Sequence, residues 1–207
     1  MSVLITSLLV GCGVLVGRLI AQSPRRRDDG SASADKPNET AHAPKSTPEE
    51  HMRTLEGFPC QLGDVVLRAG GDEAWLAGAL LFSEGENAVA ALFVSPEVGA
   101  DRAVLARPAI QELSWLTQHD DVVVIAGEPP TALEVAGSRY ERRRRLPLRA
   151  ERLGTGAPEL GPDVILAEYT GLGDDCLVVL VAKEHVLAFR GEILAAGTYD
   201  VLPGKKT

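Results

Sequence analysis

Residues 163–192 read DVILAEYTGLGDDCLVVLVAKEHVLAFRGE, and this stretch decides the fold class. It contains short apolar runs, the first two of which are separated by the glycine- and aspartate-rich turn signal GLGDD. Apolar runs of this length joined by such turns are typical of strands connected as hairpins, and no 3.6-residue periodicity typical of an amphipathic helix is sustained. The stretch therefore predicts a β-sheet.

The same pattern extends over most of the chain. Similar runs recur about every ten residues, with further turn signals at AGGDE and SEGEN. We expect an all-β soluble domain over residues 54–203, followed by a tail at 204–207. The Ala- and Leu-rich run at 74–82 would also suit a short helix.

Two parts of this domain are alike in outline. Residues 62–116 and 130–192 each offer an opening strand, a glycine-containing turn, a second strand and a loop, and then further strands that end in an aromatic-bearing apolar run. Repetition of this kind predicts two similar β lobes, assembled as a sandwich or in a barrel-like form.

Four segments of the domain carry a family resemblance: QLGDVVLRAGG (61–71), ALEVAGSRYERRRR (132–145), LAEYTG (166–171) and VLVAKEHVLAFRGE (179–192). Together they resemble the bacterial family known as domain of unknown function 4178, over roughly residues 55–200. The resemblance implies a β-rich fold and no established activity. It supplies no catalytic residues.

The amino-terminal 22 residues predict a transmembrane helix. Residues 1–17 carry no charged side chain, and apolar character continues past Arg18 as far as Gln22. A helix needs about 20 residues to cross the hydrocarbon core, so residues 2–22 suffice if Arg18 extends its guanidinium to the headgroups. The large apolar residues of this anchor are Val3, Leu4, Ile5, Leu8, Leu9, Val10, Val14, Leu15 and Val16.

Cys12 gives the same segment a second interpretation. The tetrapeptide LVGC at residues 9–12 resembles a lipobox, which would make Cys12 a lipidation site and place the domain in the periplasm. However, no Lys or Arg precedes residue 18, the apolar core before Cys12 is short, and apolar residues continue after it. A lipoprotein signal begins with a basic region and is normally followed by polar residues, so the single transmembrane span is favoured.

Flanking charge predicts the orientation of this span. Four arginines lie at or after its carboxyl end and none precedes it. The positive-inside rule then places the anchor in a bacterial inner membrane with the soluble domain in the cytoplasm. Gly13 and Gly17 form a G-x-x-x-G spacing, through which two spans could pack as a homodimer.

Residues 23–53 predict a disordered linker between anchor and domain. They are rich in Pro, Ser, Ala and mixed charges, with hardly an apolar residue larger than Ala, and cannot bury enough surface to offset the entropy of ordering. His42 and His51 lie here without other ligand types at metal spacing, so we expect solvated side chains. The net charge of -8 also argues against binding of nucleic acid.

The strongest local feature is RYERRRRLPLRAER at residues 139–152. Successive strand residues point to opposite faces, so the run from Arg142 to Arg145 must occupy an exposed edge or a projecting hairpin. One reading is a solvated edge that pairs with residues 54–130, which carry 3 basic and 12 acidic side chains. The functional reading is a patch for anionic lipid or an acidic protein partner, formed by Arg139, Arg142, Arg143, Arg144 and Arg145.

Groups that could carry acid–base or metal chemistry are few: Asp120, Asp121, Asp174, Asp175 and His185. Paired aspartates before a strand are typical of turns. The G-x-S-x-G elbow, the P-loop and the dinucleotide-binding glycine motif are absent from the sequence. We therefore predict a membrane-tethered, non-enzymatic binding or scaffolding domain with no cofactor or metal, and keep a hydrolase-like enzyme as the alternative.

Three cysteines, one of them Cys12, are too few and too scattered for a disulfide framework or a zinc site. Cys60 and Cys176 stand in apolar surroundings, which raise the pKa of a thiol and predict that both are inert. A disulfide between these two residues is the alternative.

Overall fold

The computed structural model describes residues 55–97, 100–120, 127–183 and 185–204. Within these ranges the chain forms twelve strands and no helix, which confirms the all-β prediction. The strands are β1 (Val65–Arg68), β2 (Glu73–Trp75), β3 (Gly78–Glu84), β4 (Asn87–Glu97), β5 (Ala100–Ala106), β6 (Leu113–Gln118), β7 (Ala132–Val135), β8 (Ser138–Gly154), β9 (Asp163–Thr170), β10 (Asp175–Ala182), β11 (His185–Leu194) and β12 (Tyr199–Leu202).

Eight of these strands close into an antiparallel barrel. Their order is β3-β4-β5-β6-β11-β10-β9-β8, and β8 pairs back onto β3. Strand β7 extends the sheet by pairing with the first residues of β8, and β12, β1 and β2 form a separate three-stranded sheet. Closure satisfies backbone groups that an open sheet would leave at its edges.

The two similar halves of the sequence share this one barrel and do not form separate lobes. Strands β3 to β6 and strands β8 to β11 are each a run of four antiparallel neighbours. The first strands of the two runs, β3 and β8, pair antiparallel, and so do the last strands, β6 and β11. The two runs are therefore joined first strand to first strand and last strand to last strand.

The run at 74–82 is extended, not helical, because both of its faces are buried in different clusters. Leu80 and Phe82 point into the barrel interior, whereas Ala79 and Leu81 pack on its outer side beneath the small sheet. Alternate strand residues face opposite sides, so an apolar run of this kind can serve two cores at once. Strand β10, with the apolar sequence CLVVLVA, is buried in the same manner.

Three buried clusters result from this layering. The barrel interior includes Leu92, Leu166, Leu180 and Phe189. Beneath the small sheet lies a second cluster, and a third covers the outer side of β9, β10 and β11, where Tyr140 and Tyr169 are its largest members. The arginine-rich strand β8 borders all three, since its residues contribute to the interior and to both outer clusters.

The predicted anchor at residues 1–22 and linker at 23–53 lie outside the described residues, and with them Cys12, Gly13 and Gly17. None of the residues that the structure describes forms a helix long and apolar enough to cross a membrane.

Candidate functional site

Strand β8 carries the predicted arginine patch along its 17 residues. Its start pairs with β7, its middle with β9, and its end, from Arg149 to Gly154, with β3. Among the described strands, residues 144–148 pair with β9 alone, and Arg143 lies in a bulge without a register partner. The structure thus places the arginine run along an edge between β7 and β3, and Pro147, which has no amide hydrogen to offer, lies within this edge.

A bulge between Arg142 and Arg144 prevents the five arginines from sharing one face. Arg142 and Arg145 both contact Glu128: Nη1 of Arg142 lies 3.3 Å from Oε1, and Nη2 of Arg145 lies 2.6 Å from Oε2. Arg142 also donates a hydrogen bond to the carbonyl oxygen of Pro129. The hydrogen bond from Arg145, with the charges of both arginines, lowers the pKa of the Glu128 carboxyl. These two arginines therefore fix the segment that precedes β7.

Arg139 and Arg152 form weaker ion pairs. Arg139 lies 3.4 Å from Glu141, and Arg152 lies 2.9 Å from Glu159. All four side chains are well exposed, and exposed pairs contribute at most about 1 kcal/mol each. These pairs do not hold either arginine in one geometry.

Arg143, Arg144 and Arg149 are exposed, and no carboxylate of the described residues forms an ion pair with them. Arg144 pairs in register with Glu168 of β9 and shares the face of Leu146, which packs against the barrel interior. Arg149 is paired with Asp163 at the beginning of β9, whereas Arg143 and Arg144 lie beside its last residues. Two positive charges that no described carboxylate neutralises are therefore present at that end of the barrel.

A small cavity lies at this end of the barrel. It has a volume of about 30 Å³, and Arg107, Ser114, Arg143, Glu168 and Cys176 are among its lining residues. A space of this size holds about two water molecules and no larger ligand.

The cavity is bordered by an ion pair between Arg107 and Glu168, whose side chains are only 17% and 12% exposed. Nε of Arg107 and Oε1 of Glu168 are buried without a hydrogen-bond partner among the described residues. Ordered water in the cavity is the natural partner for both atoms.

Neither described cysteine is in a disulfide: Cys60 and Cys176 are free and buried. The alternative of a bridge between them is wrong, since Cys176 belongs to the barrel interior and Cys60 to the cluster beneath the small sheet. Burial raises the pKa of Cys60 to about 12 and that of Cys176 to about 11. Because the thiolate is the reactive form, this burial disfavours reaction at either thiol.

The candidate catalytic groups do not converge. Asp174 and Asp175 lie at the beginning of the β10–β11 hairpin, and His185 lies at its other end, opposite Ala182. Eight extended residues separate the two ends by about 24 Å. Asp120 is exposed near the β6 terminus, and Asp121 lies outside the described residues. Among the described side chains, no group of His, Cys, Asp or Glu could hold a metal ion.

The sequence pattern did not reveal Arg107 as a site residue, although one signal was available. Only three basic residues, Arg68, Arg102 and Arg107, occur between residues 54 and 130. Each of them forms an ion pair in the structure. The isolated basic residues of this acidic segment therefore indicated ion pairs.

No family model, curated protein or solved structure matches this chain. Function is accordingly inferred from the chemistry of its surfaces.

Proposed function

We propose that this chain is a single-span, membrane-tethered binding protein whose barrel docks on anionic lipid headgroups through Arg143 and Arg144. The supporting observation is that these two exposed arginines have no carboxylate partner among the described residues, whereas Arg142 and Arg145 share Glu128. Phosphate and carboxylate groups of lipids provide the missing counter-charge. Each well-placed arginine near an anionic leaflet contributes about 1 kcal/mol.

Leu172 favours a membrane surface over an acidic protein as the partner. It is 94% exposed in the hairpin between β9 and β10. Thr170, just before this turn, pairs with Glu141 of β8, so the hairpin tip lies beside the beginning of the arginine strand. An exposed leucine next to arginines suits the boundary between headgroups and acyl chains, where apolar burial and charge attraction act together.

The tether keeps the domain close to its proposed partner. In this proposal residues 1–22 span the inner membrane, residues 23–53 form the linker, and the barrel faces the cytoplasmic leaflet. The resemblance to domain of unknown function 4178 implies a β-rich fold without established activity and is consistent with a binding role. A linker of about 30 residues spans about 30 Å on average, so it allows direct contact between barrel and bilayer.

The docking surface can be tested by hydrogen exchange of the full chain in nanodiscs of neutral or anionic lipid. We expect slower amide exchange along residues 143–149 and 171–173 in anionic nanodiscs, because the docked bilayer excludes water from both segments. The protection should fall about 10- to 30-fold in R143S/R144S, as expected for the loss of about 2 kcal/mol. It should also weaken in high salt.

R139S/R152S is the matched control for this experiment. It removes the same charge from the same strand, but from arginines that already contact Glu141 and Glu159. Its protection should equal that of the unmodified chain. Identical exchange in neutral and anionic nanodiscs would rule out lipid docking and leave an acidic protein as the partner to seek.

Orientation is tested with a protease and a carboxyl-terminal tag. We expect the tag to be cut only after the inner membrane is breached, because the charges that flank the span follow the positive-inside rule. Cutting as soon as the outer envelope is permeable would instead support the lipoprotein alternative, with Cys12 as the acylated residue.

A further inference from the structure

A polar groove lies on the outer face of the barrel, beside β1 of the small sheet. Its volume is about 350 Å³, which is within the range of small-molecule sites. Six of its lining residues are charged, three of each sign: Arg68, Arg102, Arg190, Asp72, Asp175 and Glu192. The groove is thus electrically balanced, unlike the barrel end with its unpaired arginines.

The floor of this groove is formed by residues that are paired across neighbouring strands. Thr117 of β6 is paired with Arg102 of β5 on one side and with Arg190 of β11 on the other. Two residues further along β11, Glu192 is paired with Asp175 of β10. Positive and negative side chains therefore form adjacent rows, about 7 Å apart along the strand.

Two of the guanidinium groups rest on aromatic rings. That of Arg102 lies 5.5 Å from the ring centre of Trp115, and that of Arg190 lies 5.8 Å from the ring centre of Tyr140. Such stacking fixes the planar group without using all of its donors. A ligand would meet arginines that are already oriented, which lowers the entropy cost of binding.

The groove retains hydrogen-bonding capacity of both kinds. Nη2 of Arg190 meets Asp175 only at 3.5 Å, which is a long contact for a charged pair. Oε1 of Glu192 forms an ion pair with Nη2 of Arg68 at 2.6 Å, but no hydrogen bond reaches this oxygen within the described part of the chain. The side chains of Arg190 and Glu192 are 31% and 34% exposed, so a donor and an acceptor lie side by side in the groove.

We propose that this groove binds a zwitterionic small molecule, with its ammonium group on Glu192 and its carboxylate on Arg190. A free α-amino acid is the simplest such ligand, because its ammonium and carboxylate are close enough together to reach two neighbouring rows at once. A multiply charged anion would be repelled by the three carboxylates, and a multiply charged cation by the three arginines. A zwitterion has no net charge, so it leaves the charges of the groove balanced.

Trp115 reports directly on this site. The chain has two tryptophans, so W75F leaves Trp115, under the groove, as the sole fluorophore. Full-length W75F is titrated with the free amino acids and, in parallel, with their N-acetyl forms, which lack the ammonium, and their amides, which lack the carboxylate. We expect at least one free amino acid to change the fluorescence saturably, and both blocked forms to bind at least about tenfold more weakly.

Substitutions in the lining test whether the ligand binds within the groove. R190Q and E192Q, each in the W75F background, should weaken binding at least about tenfold, whereas R152Q, on the part of β8 that pairs with β3, should leave it unchanged. Absence of a saturable change with every amino acid, or equal binding of the blocked forms, would overturn the proposal. The ligand series is measured on protein whose groove is intact, so the outcome does not depend on how well the variants fold.

Discussion

Replacing Gly191 with alanine is expected to open the barrel where its two halves meet. Gly191 of β11 is paired with Leu116 of β6. A Cβ atom on Gly191 would overlap the carbonyl oxygen of Trp115 and lie 2.9 Å from Cα of Leu116. These are backbone atoms of the paired strand, which no change of rotamer can move aside. We expect G191A to lower the free energy of unfolding by about 3 kcal/mol, measured by urea denaturation followed by circular dichroism.

Gly161 provides the matched control, because it has no heavy atom within 4 Å of an added Cβ and needs no left-handed backbone conformation. We expect G161A to change stability by less than about 0.5 kcal/mol. If G191A lowered the free energy of unfolding no more than G161A does, β6 and β11 could move apart at no energetic cost. The close approach of their backbones would then not be needed to close the barrel.

The pairing of β6 with β11 also shows where sequence patterns cease to predict the fold. The apolar runs of β9, β10 and β11 predicted strands correctly, since burial and turn chemistry are local properties. Pairing of β6 with β11 and of β3 with β8 joins residues far apart in the chain. Such pairings follow from the geometry of closure, which no local spacing encodes. Two similar halves could equally have packed face to face.

The arginine strand was predicted in part for the same reason. Alternation of side chains along a strand was enough to place the run from Arg142 to Arg145 at an edge. The sequence pattern did not indicate that Glu128 would engage two of these arginines, because it precedes them by 14 and 17 residues across a hairpin. The bulge that places Arg144 on the same face of β8 as Leu146 was equally hidden.

No sequence motif could have predicted the groove. Its three arginines come from β1, β5 and β11, which belong to two different sheets. Only the order of the strands brings them together. A site built in this way has no characteristic spacing along the chain, and of its arginines only Arg68 and Arg102 could be singled out by their rarity in an acidic segment.

The second large effect is expected at the buried pair of Arg107 and Glu168. E168A should lower the free energy of unfolding by about 3–5 kcal/mol, because it leaves the Arg107 guanidinium mostly buried without its carboxylate. R107M/E168L should be as stable as the unmodified protein or more stable, since apolar side chains of similar volume remove both desolvation costs. Urea unfolding of R107M, E168L and R107M/E168L, together with the unmodified protein, forms a double-mutant cycle.

The exposed pair of Arg139 and Glu141 provides the comparison, and E141A should cost less than about 1 kcal/mol. If R107M/E168L were as unstable as E168A, charge pairing itself would be required at this end of the barrel. If the double variant is stable but no longer docks on anionic nanodiscs, the pair acts by positioning neighbouring Arg143, which borders the same cavity. Stability and docking measured on one variant therefore separate the structural contribution of the pair from its contribution to the binding surface.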